Sequence, residues 1–156
     1  MSAAADRIAS LDSLPAQDLC NQAEESLQAL VTIMNEETTL LRAGRFRDAA
    51  GLTAQKTQLA QDYVVFARSV QRQTDRLLAE APESLDRLHQ NHDSLATQMA
   101  ENLRVIATAK TLAEDILVDV ADSVGAKDRT RTYDQSGEVR LPRAASARGI
   151  AINRAL

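Results

Sequence analysis

The sequence predicts an all-α protein: an elongated antiparallel bundle of three long helices, coiled-coil-like, with a flexible basic C-terminal tail. Three observations support this prediction. Apolar residues follow a 3-4-3-4 spacing over long segments, which is the period of helices that pack along a shared seam. Aromatic residues are 3% of the chain, and glycine and proline are scarce, as is typical of long helices. No alternating run of strand length is present.

The N-terminal part of the chain contains the first predicted helix. Residues 1–13 are small and polar, and we expect them to be frayed. Pro15 suits the first turn of a helix, because its missing N–H costs nothing there. The first long helix is therefore predicted over residues 15–43, and Gly44 suits the left-handed residue that follows a helix end.

Two further helices complete the predicted bundle of residues 14–124. The second is expected over 46–81 and the third over 83–123, because Pro82 disfavours helical geometry at the preceding residue. The tight connection at Gly44 makes the first two helices antiparallel neighbours. The connection at Pro82 allows a fold-back or a kinked continuation. We favour the fold-back, because three apolar stripes then close one core.

The third helix carries the longest stripe, and we expect it to face partner helices along a seam. Its polar members are His92 and Asn102, and a buried Asn in such a seam fixes the register of the helices. The stripe consists of Leu85, Leu88, His92, Leu95, Met99, Asn102, Ile106, Ala109, Ala113, Ile116 and Val120.

Two charged residues lie on the apolar stripes of the first two helices. Glu37 and Lys56 are offset by about one turn if the helices are antiparallel around Gly44, so their long side chains can bridge. The alternative is that each side chain reaches from the seam edge into water. Either arrangement is structural. His92 is expected to be partly buried with a hydrogen-bond partner, which is also a structural role. His89 and His92 lack the Glu-x-x-His pattern of metal-binding bundles, so we expect no metal.

The predicted tail, residues 125–156, differs from the acidic body. It holds seven Lys or Arg and three acids, a net charge of +4, in a chain whose total is −4. Its last eight residues bring back apolar content with Ile150, Ile152 and Leu156. This apolar tip is a candidate docking motif, and the alternative is that it packs on the bundle or has no role.

Several classes of function are disfavoured by the sequence. No phosphate-binding loop and no nucleophile beside a base is recognisable, so we expect neither an enzyme nor a cofactor. The acidic body and scarce aromatics disfavour nucleic-acid binding. The apolar runs are too short for a membrane span, no signal peptide is recognisable, and the single cysteine fits a reducing compartment. We therefore expect a cytoplasmic protein without membrane insertion.

The order of these features resembles the FlgN-type flagellar export chaperones in their alphaproteobacterial form. The segment LVTIMNEETTLLRAGRFRDAAGLTAQKTQLAQDYV resembles the end of the family's first helix, its turn and its second helix. The segment APESLDRLHQNHDSLATQMAENLRVIATAKTLAEDIL resembles its third helix, which opens at a proline and carries a central Asn. TYDQSG resembles a Tyr in a polar tail, although Asp134 follows Tyr133 where the family often has Gly. The matching positions are Glu37, Leu41, Gly44, Leu52, Lys56, Leu59, Asn102, Tyr133 and Gly137.

The resemblance implies a cytoplasmic chaperone of the flagellar type III secretion system. Such a chaperone binds the amphipathic C-terminal helices of hook–filament junction (hook-associated) proteins and delivers them to the export gate. Carried over to this chain, Tyr133 is a candidate for docking to an export apparatus component. Ile150, Ile152 and Leu156 are candidates for client binding. A chaperone that folds back on itself is expected to be a monomer or a weak homodimer.

Two other functions stay open on the sequence. One is a structural coiled-coil homodimer that acts as an interaction scaffold through its third helix. The other is a signalling four-helix module, which needs a phosphorylatable histidine on an exposed face. His89 and His92 are the only histidines of the chain, and His92 is expected on the seam, which disfavours the signalling module.

Overall fold

A computed structural model describes the backbone of residues 3–130 and the side chains of residues 6–127. Over this range the chain is all-α and contains no strand, which confirms the predicted class, and three long helices pack together. The helices are α1 (Ala3–Asp12), α2 (Ala16–Arg42), α3 (Phe46–Gly51), α4 (Thr53–Arg72), α5 (Thr74–Glu80) and α6 (Pro82–Thr130). The three long helices are α2, α4 and α6. None of these helices is long and apolar enough to cross a membrane.

The chain forms two compact units, Met1–Ala113 and Glu114–Leu156. The first unit contains α1 to α5 and the first part of α6. In the second unit the structure describes the C-terminal end of α6. The boundary between the units therefore lies within a helix.

Side-chain hydrogen bonds within the first unit give the directions of its helices. Near the start of α2, Gln17 Nε2 donates to Ser84 Oγ at 2.6 Å. Near the end of α2, Asn102 Nδ2 donates to the Met34 carbonyl at 3.3 Å. Helices α2 and α6 are therefore parallel, and the chain between them runs in the opposite direction. The chain folds back at Pro82, which is the arrangement we favour from the sequence.

The turn between α2 and α3 ends α2 as the sequence predicts. Gly44 has φ 72°, a left-handed conformation that glycine adopts without strain from a Cβ. Its N–H donates to the Leu41 carbonyl at 3.1 Å, and the N–H of Arg45 donates to the Leu40 carbonyl at 2.9 Å. This pair of bonds is a Schellman motif, which satisfies carbonyls that the helix end would leave without partners.

The N-terminal segment differs from our expectation, because residues 3–12 form helix α1 rather than a frayed end. Leu11 is buried in the same cluster as Leu19, which ties the segment to the bundle. The Asp12 carboxylate accepts hydrogen bonds at 3.0 Å from Ser69 and Arg72. These bonds, the one from Arg72 above all, lower the pKa of Asp12. The segment is ordered because it buries an apolar side chain and anchors a carboxylate.

The predicted second helix is divided in the structure. Leu52 separates α3 from α4, and Gln73 separates α4 from α5, so residues 46–81 are not one continuous helix. Gly51 precedes the first interruption, and glycine weakens a helix by about 1 kcal/mol relative to alanine. At the second interruption Gln73 has φ −107° and ψ 14°. The Gln73 side chain donates to Asp12 at 3.0 Å, and the Thr74 hydroxyl donates to the carbonyls of Val70 and Gln71 at this break.

The predicted end of the third helix was wrong. We expected helix 83–123 with Gly125 as its stop, whereas α6 continues through Gly125 to Thr130. Gly125 does not adopt a positive φ. An isolated glycine lowers helix stability but does not end a helix unless it takes a left-handed conformation or a proline follows. The first six residues of the predicted tail, 125–130, are therefore helical.

Two apolar clusters form the core of the first unit. One lies around the junction of α1 and α2, and the other lies along the second half of α2. Both are covered from α4 and α6, so the fold-back buries apolar residues of all three long helices. The first consists of Leu11, Ala16, Leu19, Cys20, Ala23, Val70, Leu77, Ala81, Leu85 and Leu88, and the second of Leu27, Leu30, Val31, Ile33, Met34, Tyr63 and Leu95.

The contrast between Gly44 and Gly125 can be tested by one substitution at each. Gly44→Ala forces a Cβ into a left-handed conformation and should lower the free energy of unfolding by about 1 kcal/mol. Gly125→Ala is the matched control, because its backbone is helical and neither glycine has a close neighbour to a Cβ. It should leave the stability unchanged or raise helix content, read by urea titration and far-ultraviolet circular dichroism. Equal losses for both variants would contradict the assigned conformations.

Candidate binding surface

Three of the polar seam residues predicted from the sequence meet inside the first unit. Glu37 and Asn102 are each at least 95% buried. Lys56 Nζ donates to Glu37 Oε2 at 2.6 Å, and Asn102 Nδ2 donates to the same oxygen at 2.9 Å. Asn102 Nδ2 also lies 3.0 Å from Thr38 Oγ1. We call Glu37, Lys56 and Asn102 the buried polar cluster.

The buried polar cluster joins α2, α4 and α6 at one level. Lys56 Nζ lies 3.5 Å from Asn102 Oδ1, so each member contacts both of the others. A shift of any helix by one turn would leave a buried carboxylate or amide without partners, at a cost of about 1–3 kcal/mol or more. The cluster therefore fixes the register of the three helices, and its groups are occupied with one another.

The fourth predicted seam residue, His92, lies at the edge of the seam and is exposed. The Tyr63 hydroxyl lies 2.6 Å from His92 Nδ1, which gives the histidine the hydrogen-bond partner we expected. Burial raises the pKa of Tyr63, so the phenol keeps its proton and can donate it. Both residues line a groove of about 350 Å³ between α4 and α6, together with Val64, Arg68 and Leu88.

Two features bear on the chemistry of the described residues, namely the thiol of Cys20 and the arrangement of the potential metal ligands. Cys20 is buried, and that burial raises the pKa of its thiol, which keeps it protonated and weakly nucleophilic. No group of three or more His, Cys, Asp or Glu side chains between residues 6 and 127 is arranged to hold a metal.

One side of α6 in the second unit is apolar and exposed. Ile116 is 48% exposed, Leu117 68%, and Val120 and Val124 55% each. Their spacing places them on one face of the helix. Ile116, Val120 and Val124 also line a shallow groove of about 340 Å³ with Lys127. We call Ile116, Leu117, Val120 and Val124 the α6 stripe.

A row of carboxylates lies beside the α6 stripe. Asp115, Asp119 and Asp122 follow one another at helical spacing along one flank. In the described part of the chain, none of these three carboxylates forms a hydrogen bond or an ion pair. Like charges at this spacing destabilise a helix by about 0.2–0.5 kcal/mol per pair. The surface therefore combines exposed apolar area with uncompensated negative charge.

Sequence reasoning placed Ile116 and Val120 on a seam that faces partner helices, whereas the structure exposes both. Two other members of the same stripe, Met99 and His92, are also exposed. Val105 is buried, whereas the neighbouring stripe residue Ile106 is only partly buried. The signal that the stripe changes character was available: residues 114–126 contain four acids and no base. Tyr133, Ile150, Ile152 and Leu156 lie outside the described residues, and their roles stay predictions.

The energetic role of the buried polar cluster can be measured with a double-mutant cycle. Lys56→Gln leaves the Glu37 carboxylate short of a charged partner. It should destabilise the protein by about 2–3 kcal/mol, less than for a fully buried pair because Lys56 is partly exposed. Combined with Glu37→Gln, the coupling energy from urea unfolding should be about 1–2 kcal/mol.

The exposed pair Arg45–Asp48, with 63% and 51% of the side chains accessible, provides the control cycle. Its coupling energy should not exceed about 0.5 kcal/mol. Similar coupling energies in the two cycles would show that the Glu37–Lys56 pair does not set the helix register.

No protein-family model, no curated protein and no solved structure matches this chain.

Proposed function

We propose that this protein is a cytoplasmic flagellar export chaperone of the FlgN type. In this proposal it binds the amphipathic C-terminal helices of hook-associated proteins and delivers them to the type III export gate. The proposal rests on the sequence resemblance and on one structural observation. That observation is the α6 stripe, an apolar helix face exposed along one side of the second unit.

The α6 stripe has the properties of a surface for helix-in-groove recognition. An amphipathic client helix presents apolar anchors about one turn apart, which matches the spacing of Ile116, Val120 and Val124. Burying such residues stabilises a complex by about 25 cal/mol for each Å² of apolar area removed from water. Contiguous exposed apolar residues on a protein surface commonly mark a site of interaction with another protein or segment.

The row of Asp115, Asp119 and Asp122 defines the client's charge. Opposite charges across an interface favour encounter and disfavour wrong partners. The client helix is therefore expected to carry basic residues beside its apolar stripe. A second copy of the same stripe would bring like charges together, which disfavours the alternative of a homodimeric scaffold that pairs through this face.

The first unit supplies the support that such a chaperone needs. Its long helices α2, α4 and the first part of α6 pack together and are held in register by the buried polar cluster. In this proposal they form an antiparallel, coiled-coil-like bundle. In this proposal Tyr133 docks to an export apparatus component. The protein works as a monomer or weak homodimer, because its bundle is closed by its own three helices.

The proposal is tested by affinity capture from cytoplasmic extract of the source organism with the full chain, read by mass spectrometry. Wild type should recover hook-associated proteins. Ile116→Gln with Val120→Gln removes two anchors but keeps good helix formers, so recovery should fall about tenfold. Leu78→Gln, which changes a side chain on α5 that is 55% exposed, is the matched control and should leave recovery unchanged.

Thermal unfolding of each variant shows whether the bundle is intact. Recovery of the protein itself alone, in equal amount by wild type and the stripe variant, would overturn the chaperone proposal. With an obligate dimer mass from light scattering, that result would establish the homodimeric scaffold instead.

A further inference from the structure

The helical segment that carries the α6 stripe is acidic, and a later segment of the chain is basic. Residues 114–126 contain Glu114 and the Asp115, Asp119 and Asp122 row, and no Lys, Arg or His. Later in the same unit, residues 139–156 contain four arginines and no Asp or Glu. The side chains of the two segments therefore carry net charges of −4 and +4.

The basic segment also has apolar side chains to offer. Ile150, Ile152 and Leu156 lie among Arg148 and Arg154, so apolar and cationic groups alternate over a short length of chain. An apolar face flanked by carboxylates matches such a segment, because aliphatic side chains can cover the stripe while guanidinium groups reach the flank. The match is in composition, charge and length.

The connection between the two segments is long enough for contact within one chain. Residues 131–138 can span about 27 Å when fully extended. The helical distance from Thr130 back to Ile116 is about 21 Å, at 1.5 Å per residue. A contact within one chain also gains from a high effective concentration, of the order of 1 mM for a short connection.

We infer that residues 139–156 dock on the α6 stripe of their own chain and cover it when no client is bound. The basic segment lies over Ile116, Val120 and Val124, and its arginines pair with the aspartate row. A client helix then competes with the chain's own segment for the same surface. This last step rests on the proposed chaperone function, whereas the docking itself does not.

The docking is tested on the full chain by paramagnetic relaxation. Ala155→Cys in a Cys20→Ala background gives one site for a nitroxide label, and amide signals of residues 114–126 are followed by NMR. Wild-type charges should give strong broadening of these signals. Arg148→Glu with Arg154→Glu should abolish it, and further addition of Asp119→Lys and Asp122→Lys should restore it. Arg47→Glu, an exposed arginine outside both segments, should leave the broadening unchanged.

Mixing separates the possible occupants of the stripe. Labelled protein without isotope is added to isotope-enriched protein without the nitroxide. Broadening in this mixture would show docking between two copies and overturn the intramolecular contact. Absence of broadening in both samples would overturn docking altogether, and charge-insensitive broadening would overturn the assigned pairing.

The competition is tested separately by the capture experiment with Ile152→Asp. If the segment covers the stripe, this variant should recover about threefold more hook-associated protein than wild type. A fall in recovery would mean that the segment contacts the client directly, as the family resemblance implies, and would overturn the covering role. Loss of client recovery by the wild type would count against the chaperone function and leave the relaxation result intact.

Discussion

The arrangement of the first unit depends on a carboxylate that is buried away from water. Glu37 is held by Lys56 from α4 and by Asn102 from α6, each within 3 Å of the same oxygen. Apolar contacts along a helix tolerate sliding, because one aliphatic side chain can replace another at similar depth. A buried charge does not tolerate it, since its partners must arrive at one position. The cluster therefore specifies how three helices align, and the apolar clusters supply the free energy.

Within the first unit, that alignment covers one face of the first part of α6. As far as the cluster, α6 buries Leu85, Leu88, Leu95 and Asn102 against the other helices. In the second unit, the face that carries Ile116, Val120 and Val124 is exposed. A heptad spacing records that a helix face is apolar over a given length. Whether that face is covered depends on contacts with other helices, which the spacing does not record.

The class of fold and the identities of the polar seam residues were therefore predictable, and several boundaries were not. The 3-4 spacing and the turn at Gly44 predicted the antiparallel pairing, from which the Glu37–Lys56 contact follows. Helix α1 was missed because one buried leucine, Leu11, and one hydrogen-bonded aspartate, Asp12, give little periodic signal in the sequence. The interruption at Gln73 lies where its side chain bonds Asp12, sixty-one residues away in sequence, a contact that local periodicity does not show. Gly125 was wrongly predicted to end α6, because the sequence does not show whether a glycine adopts the left-handed conformation that ends a helix.

The α6 stripe and the aspartates beside it lower the stability of the free helix, and contacts within α6 do not offset this. Its aliphatic residues stay in contact with water, and the three neighbouring aspartates repel one another at helical spacing. Isolated helices gain most of their stability from burying an amphipathic face. A helix that keeps both an exposed stripe and a like-charged row is therefore more stable when something apolar and cationic covers it. The same two features that weaken the free helix, the exposed stripe and the aspartate row, are the ones that the proposed basic amphipathic segment would cover.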